Sequence, residues 1–196
     1  MKIASAVLWS IHQSATFVVR MNGRSPKKLD SAKLLDYSLR LLSARAQSLG
    51  ELRQKLKRRA EKAEDIDAVM LKLKEAGYLN DRRFAEGFAA ARLANDGLGR
   101  MRVLRDLRQK QVAPKLAEQV VEQTFRATDE TQLVEAWLER KYRGKPLSTL
   151  LADQKKLAAV FNRLRYAGFS ASVSIRVLKR YAEAAEELDG MPEDGE

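Results

Sequence analysis

The sequence predicts an all-α protein: tandem three-helix repeats, helix-turn-helix-like, stacked into an elongated, curved array without a β-sheet. Three observations lead there. Apolar residues recur at the helical period of about 3.6 almost everywhere from Asp30 onward. No segment alternates with the strand period over a useful length. A pattern of basic helix, short turn and amphipathic helix also returns about every 50 residues, the mark of an array of similar small units.

Taken in order, Leu34, Tyr37, Leu41 and Leu42 share one face of a first helix. Leu49, Leu52 and Leu56 mark a second, and Ile66, Val69, Met70 and Leu73 a third. Gly77 follows as a C′ residue, because glycine enters the left-handed region without penalty. Asn80 or Asp81 caps a fourth helix, with Phe84, Phe88 and Ala91 expected inward and Asn95-Asp96-Gly97 closing it. The fifth is expected to bury Val103, Leu104 and Leu107. Pro114 suits the first turn of the sixth, with Leu116, Val120 and Val121 inward. Val134, Trp137 and Leu138 mark the next helix, which Lys145-Pro146 breaks. Leu157, Val160, Phe161 and Leu164 form the following stripe, ended by Gly168. Ser170 caps the last helix, with Val173, Val177 and Tyr181 expected inward. The anchors Leu56, Leu107 and Leu164 stand 51 and 57 residues apart. Repeats are therefore placed at 30–79, 80–127 and 128–184, between a poorly ordered extension (1–29) and an acidic, disordered tail (185–196). A unit of this size is marginal alone, so neighbours are expected to stack.

Composition removes several classes of function. Cysteine is absent and His12 is the one histidine, which leaves no thiol nucleophile, Ser–His–Asp triad or Cys/His metal site. No catalysis, cofactor or metal is expected. The apolar run Ile3–Ile11 is too short to span a bilayer and too interrupted for a secretory signal. Glu61, Glu64, Asp65 and Asp67 cluster where a helix begins, and there they complement the helix dipole.

The charge is the positive signal. The chain carries +11 overall, yet seven acids and no base follow Ala182, so residues 1–181 hold 37 bases against 19 acids. A body this basic favours a polyanion. The bases concentrate on the middle helix of each repeat: Arg53, Lys57, Arg58 and Arg59; Arg102, Arg105, Arg108 and Lys110; Arg163 and Arg165. Around the fifth helix, at about 100° per residue, Arg102 and Arg105 point away from the Val103–Leu104–Leu107 stripe and Arg108 lies at its flank. These ten residues are the candidate contacts with phosphates or carboxylates. An ordinary solvated helix face is the alternative reading. Sequence-specific DNA reading is disfavoured, because one third helix opens on Glu64-Asp65-Ile66-Asp67, which repels phosphates. Phe84, Phe88, Trp137 and Phe161 sit on expected core faces and so are not stacking platforms for bases. The acidic tail is expected to compete with DNA for the basic helices.

Residues 64–85 run EDIDAVMLKLKEAGYLNDRRFA and residues 99–112 run GRMRVLRDLRQKQV. In this order they resemble the RecX family, whose segments read L-x-x-x-G-Y-L-[DN]-D-x-x-F-A and G-x-x-[RK]-[IV]-x-x-[ED]-L-x-x-K-G-[IV]. RYAGFS at 165–170 resembles the family's third-repeat turn, and the likeness covers about residues 31–182. Gln111 departs from the pattern, standing where the family has a turn glycine. The resemblance implies three tandem three-helix repeats and a monomeric, cytoplasmic, non-enzymatic bacterial regulator of DNA repair, recombination and the SOS response. Such a protein binds the RecA recombinase filament along its groove, usually restraining it, and binds single- and double-stranded DNA non-specifically. A general nucleic-acid-binding helical protein without a RecA partner is the alternative.

Overall fold

The computed structural model describes residues 27–182. Expectations for residues 1–26 and for 183–196 lie outside it. The described chain folds as α1 (Ser31–Ala44), α2 (Leu49–Arg59), α3 (Ala63–Glu75), α4 (Asp81–Ala91), α5 (Arg100–Gln109), α6 (Pro114–Phe125), α7 (Glu130–Lys141), α8 (Leu147–Leu151), α9 (Gln154–Tyr166) and α10 (Ala171–Leu178). A π-helical turn, Arg92–Asp96, extends α4. Among the described residues the one extended pairing is a parallel bridge between Leu29 and Ala60, and no helix is long and apolar enough to cross a membrane.

Local chemistry sets the boundaries. Asp30, Ser48, Asn80, Asp129, Asp153 and Ser170 each accept a backbone N–H in the first turn of the helix they precede. Pro114 occupies the first turn of α6. Gly77 closes the end of α3 at φ 74°, with Tyr78 N–H on the Leu73 carbonyl. Gln111 adopts φ 58°, the one positive φ outside glycine among the described residues. The turn glycine of the family pattern is thus replaced without loss of the left-handed turn: Val112 N–H still reaches the Leu107 carbonyl at 3.2 Å.

Each repeat has its own apolar cluster. The first is built on Leu34, Leu52, Leu56, Val69 and Leu73, the second on Ala85, Ala89, Val103, Leu107 and Val120, the third on Val134, Leu138, Leu157, Leu164 and Phe169. Several expectations are corrected here. The third repeat holds a fourth helix, α8, placed after Pro146 to bury Leu151. On α4 the fully buried residues are Ala85 and Ala89, whose small side chains let α6 approach. Phe84 and Phe88 flank them half-buried with rings 5.9 Å apart, and Ala91 is exposed. Leu104 is half-buried at the edge of the second cluster, and the third buried residue of α5, with Val103 and Leu107, is Asp106. On α10 the buried positions are Ser174, Ile175, Val177 and Leu178, while Val173, and Tyr181 just past the helix, sit at the edge. Leu29, expected in the extension, is tied to repeat one: its N–H donates to the Arg59 carbonyl at 2.7 Å and its carbonyl accepts from Glu61 N–H at 2.9 Å.

The repeats are joined through the ends of their middle helices. At the start of α5, Gly99 N–H donates to the Ala167 carbonyl at 2.8 Å and Met101 N–H to the Gly168 carbonyl at 3.1 Å. These are a helix N-terminus and a helix C-terminus, each satisfying groups the other helix leaves unpaired, with opposite ends of two helix dipoles in contact. At the start of α2, the Ser48 hydroxyl donates to the carbonyl of Lys110, the residue that ends α5. Leu49 N–H also reaches Asp81 Oδ1 at 2.7 Å. The same joint is therefore used twice, from α2 to α5 and from α5 to α9. The backbones meet at glycine in both: a Cβ on Gly50 would lie 2.6 Å from the Gln111 carbonyl oxygen, and one on Gly99 2.3 Å from that of Gly168.

Gly99 has an ordinary φ of −75°, so alanine there is excluded by contact rather than by backbone strain. Gly99→Ala should force the second joint open and destabilise by roughly 1–3 kcal/mol. Gly87→Ala, on an exposed stretch of α4 where a Cβ meets nothing within 4 Å, should instead stabilise by about 0.5–1 kcal/mol. Thermal unfolding of the two variants beside the parent chain measures both.

Candidate nucleic-acid interface

The ten basic residues singled out in the sequence fall into three structural groups. Lys57, Arg58 and Arg105 are exposed and engage in no described ion pair. Arg53 and Arg108 are exposed but paired, Arg53 to Asp67 at 2.5 Å and Arg108 to Glu118 at 3.2 Å. Exposed pairs of this kind are worth about 0–1 kcal/mol, so a phosphate can displace the carboxylate. Arg163 is exposed too, and its Nη1 donates to the Tyr142 hydroxyl at 2.9 Å. The remaining four serve the architecture. Arg59 lies 5.2 Å over the Tyr37 ring with its Nε buried. Arg165 Nη1 donates to the Phe169 carbonyl at 3.1 Å. Lys110 and Arg102 stand in the two joints.

Lys110 reaches across the first joint to Glu51, 3.4 Å away. Glu51, in the first turn of α2, also receives Arg45 at 2.5 Å and Lys55 at 3.9 Å. Burial alone would raise its pKa. The hydrogen bond from Arg45 and the charges of Lys110, Arg45 and Lys55 outweigh burial and hold the carboxyl below the usual glutamate range. Lys55 is shifted the same way, its pKa lowered first by burial and then by the nearby Arg45 and Lys110, which disfavour its charged form.

Arg102 corrects the expectation of a solvent-facing stripe. Its side chain is 26% exposed: Nε donates to Asp106 Oδ1 at 2.9 Å, and the guanidinium lies 4.6 Å over the ring of Tyr166 in repeat three. Burial opposes its charge, but Asp106 and Tyr166 more than compensate, so its pKa stands above that of an ordinary arginine. Asp106 is 6% exposed, and its second oxygen is buried 3.6 Å from Arg92 Nε, without a hydrogen bond. Arg92 itself reaches Asp96 at 2.7 Å and covers the Phe88 ring at 5.0 Å. Arg140 of α7 donates to the Asp96 carbonyl, adding a further tie between repeats two and three.

Sequence reasoning missed Asp106, Tyr166 and Arg140 as members of this joint. A helical wheel places Arg102 correctly on its own helix but contains no neighbouring repeat. It also missed the turn after α7, where Lys141, Arg143 and Lys145 are exposed and engage in no described ion pair. Bases in the last turns of α2, α5 and α9 have a structural use as well, since cations there complement the helix dipole. Among the described residues no three acidic or histidine side chains converge to hold a metal ion.

Residues 35–73 match the family model of the first three-helix domain of RecX, and residues 80–121 that of the second. The regulatory protein RecX of Trichlorobacter lovleyi is 31% identical over 136 residues, spanning 69% of this chain and 87% of that protein. The chain belongs to the RecX family. The RecX of Deinococcus radiodurans is also 31% identical, over 82% of this chain and 74% of its own length. A crystal structure of RecX from Lactobacillus salivarius superposes with a TM-score of 0.56 at 17% identity, covering 77% of this chain and 96% of that one. Another, of a regulatory protein RecX, gives 0.57 at 22%, covering 75% and 70%. These two show the fold that RecX shares with this chain.

The two arginines of the α5 stripe should separate on mutation. Arg102→Ala strips buried Asp106 of its hydrogen bond and should destabilise by about 1–3 kcal/mol in chemical denaturation. Arg105→Ala should stay within about 0.5 kcal/mol of the parent. Acid should also act at the first joint. Because the folded Glu51 carboxyl titrates below its unfolded counterpart, its contribution is complete above the ordinary glutamate pKa. It is lost as pH falls through the folded value. Denaturation from pH 7 down to pH 3 should show Glu51→Gln less stable near neutrality and converging on the parent in acid.

Proposed function

We propose that this chain regulates the RecA recombinase without catalysing a reaction, binding the filament and, weakly and non-specifically, single- and double-stranded DNA. The observation that carries the reading is the set of exposed cations, Lys57, Arg58 and Arg105, without described acidic partners on consecutive middle helices. The two joints place those helices in sequence along the array. Phosphates or carboxylates spaced along a groove can then be met one repeat at a time, with Arg53, Arg108 and Arg163 as secondary contacts. Inhibition of filament activity is the expected sense, acting as a monomer in the cytoplasm. The family membership supports a regulatory role, and the fold contributes a basic surface.

Adding sub-stoichiometric protein to RecA, ATP and single-stranded DNA should depress ATP hydrolysis and strand exchange. The triple variant Lys57→Ala, Arg58→Ala, Arg105→Ala should keep the parent melting temperature and lose most of that effect. Its log–log salt slope on single strands should be shallower by about 2, at roughly 0.7 per phosphate contact. Parent protein that binds DNA but leaves RecA untouched would make it a general nucleic-acid binder instead. A triple variant with undiminished action on RecA would move the regulatory surface elsewhere.

A further inference from the structure

Helices α7 and α10 run side by side in the same direction. Ser170 N–H meets Glu130 at 2.7 Å at their starts, Arg176 meets Thr131 at 3.3 Å, and Arg180 pairs with Glu135 further along. Arg180, two residues before Ala182, is thus tied to α7 at Glu135, between its start and its C-terminal end. That end carries the exposed cations Lys141, Arg143 and Lys145. Between them Gly144 turns at φ 77° with nothing within 4 Å of a Cβ position, so the outer face of the turn is open. Arg143, Lys145, Tyr142 and Leu147 line a cleft of about 520 Å³ whose one acid is Glu139. In sequence, the first residues past Ala182 include Glu183, Glu186, Glu187 and Asp189, with no base.

The distances match. Lys141 lies six residues beyond Glu135 on α7, about 9 Å of helix rise. Glu187 lies seven residues beyond Arg180, and such a segment reaches at most about 24 Å. The concentration of one sign of charge against the other, on a tether this short, is high whatever the bulk concentration. We propose that the acidic segment after Ala182 docks on the Lys141–Lys145 turn and occupies it against phosphates, so that a polyanion must displace the chain's own carboxylates to reach repeat three. The competition rests on the polyanion binding proposed above; the docking does not.

Zero-length carbodiimide cross-linking of the full chain at low salt, followed by peptide mapping of the monomer, tests the docking. Amide links from Lys141 or Lys145 to Glu183, Glu186, Glu187 or Asp189 are expected. They should fade at 1 M salt, where the screening length is about 3 Å. No link, or links only to Lys57, Lys155 or Lys156, would overturn the assignment. Competition is read from single-stranded DNA binding. Glu183→Gln, Glu186→Gln, Glu187→Gln and Asp189→Asn together should tighten binding and steepen the salt slope by about 2. In a background of Lys141→Ala, Arg143→Ala and Lys145→Ala, the same neutralisation should change nothing. A gain that persists in that background would place the acidic segment on another surface. If neither parent nor neutralised protein binds DNA, the functional proposal fails while the cross-links still decide the docking.

Discussion

Everything in this array depends on the contact between the end of one middle helix and the start of another. A helix leaves unpaired N–H groups at its beginning and unpaired carbonyls at its end. Here the Gly99 and Met101 N–H groups take the carbonyls of Ala167 and Gly168, and the Ser48 hydroxyl takes that of Lys110. Gly99 has no side-chain cap because the next repeat supplies the acceptor. The three apolar clusters are separate, with Leu98 packed against both the second and the third. Polar backbone contact at glycine, rather than a shared core, thus sets how one unit sits on the next.

That arrangement divides the basic residues between two duties. Lys110 and Arg102 hold the joints through Glu51, Asp106 and Tyr166. Lys57, Arg58 and Arg105 have no comparable commitment. Net charge alone cannot separate the two sets, since both count equally toward it. What separates them is whether an acid from another turn or another repeat falls within reach, and that follows from the fold.

Much of the fold was legible in the sequence because helical packing writes itself into a period. Ile66, Val69, Met70 and Leu73, or Leu157, Val160, Phe161 and Leu164, announce one buried face each, and all eight are buried. The five residues of α8 are too few to show a period. The face of α4 was set by two alanines against α6, where size matters more than hydrophobicity. Asp106 is a carboxylate that no apolar period marks as inward; it is buried because Arg92 and Arg102, both only partly exposed, close over it. For the candidate site, the residue types and their helices could be read, whereas their division between joint and surface could not.

A contact that joins the head of one unit to the tail of the next has no internal reason to stop. Repeated indefinitely, or passed from one molecule to another, it would give an open filament rather than a discrete particle. Among the described residues, the two helix ends left over by the joints both have partners within the chain. The carbonyl end of α2, where a preceding unit would dock, is already taken by Leu29, whose N–H holds the Arg59 carbonyl. The amide end of α9 is taken by the Asp153 carboxylate, which accepts from Lys155 and Lys156 N–H at 2.9 and 3.2 Å. Leu29 and Asp153 thus supply, from inside the described chain, the kind of partner that a neighbouring repeat supplies at the two joints.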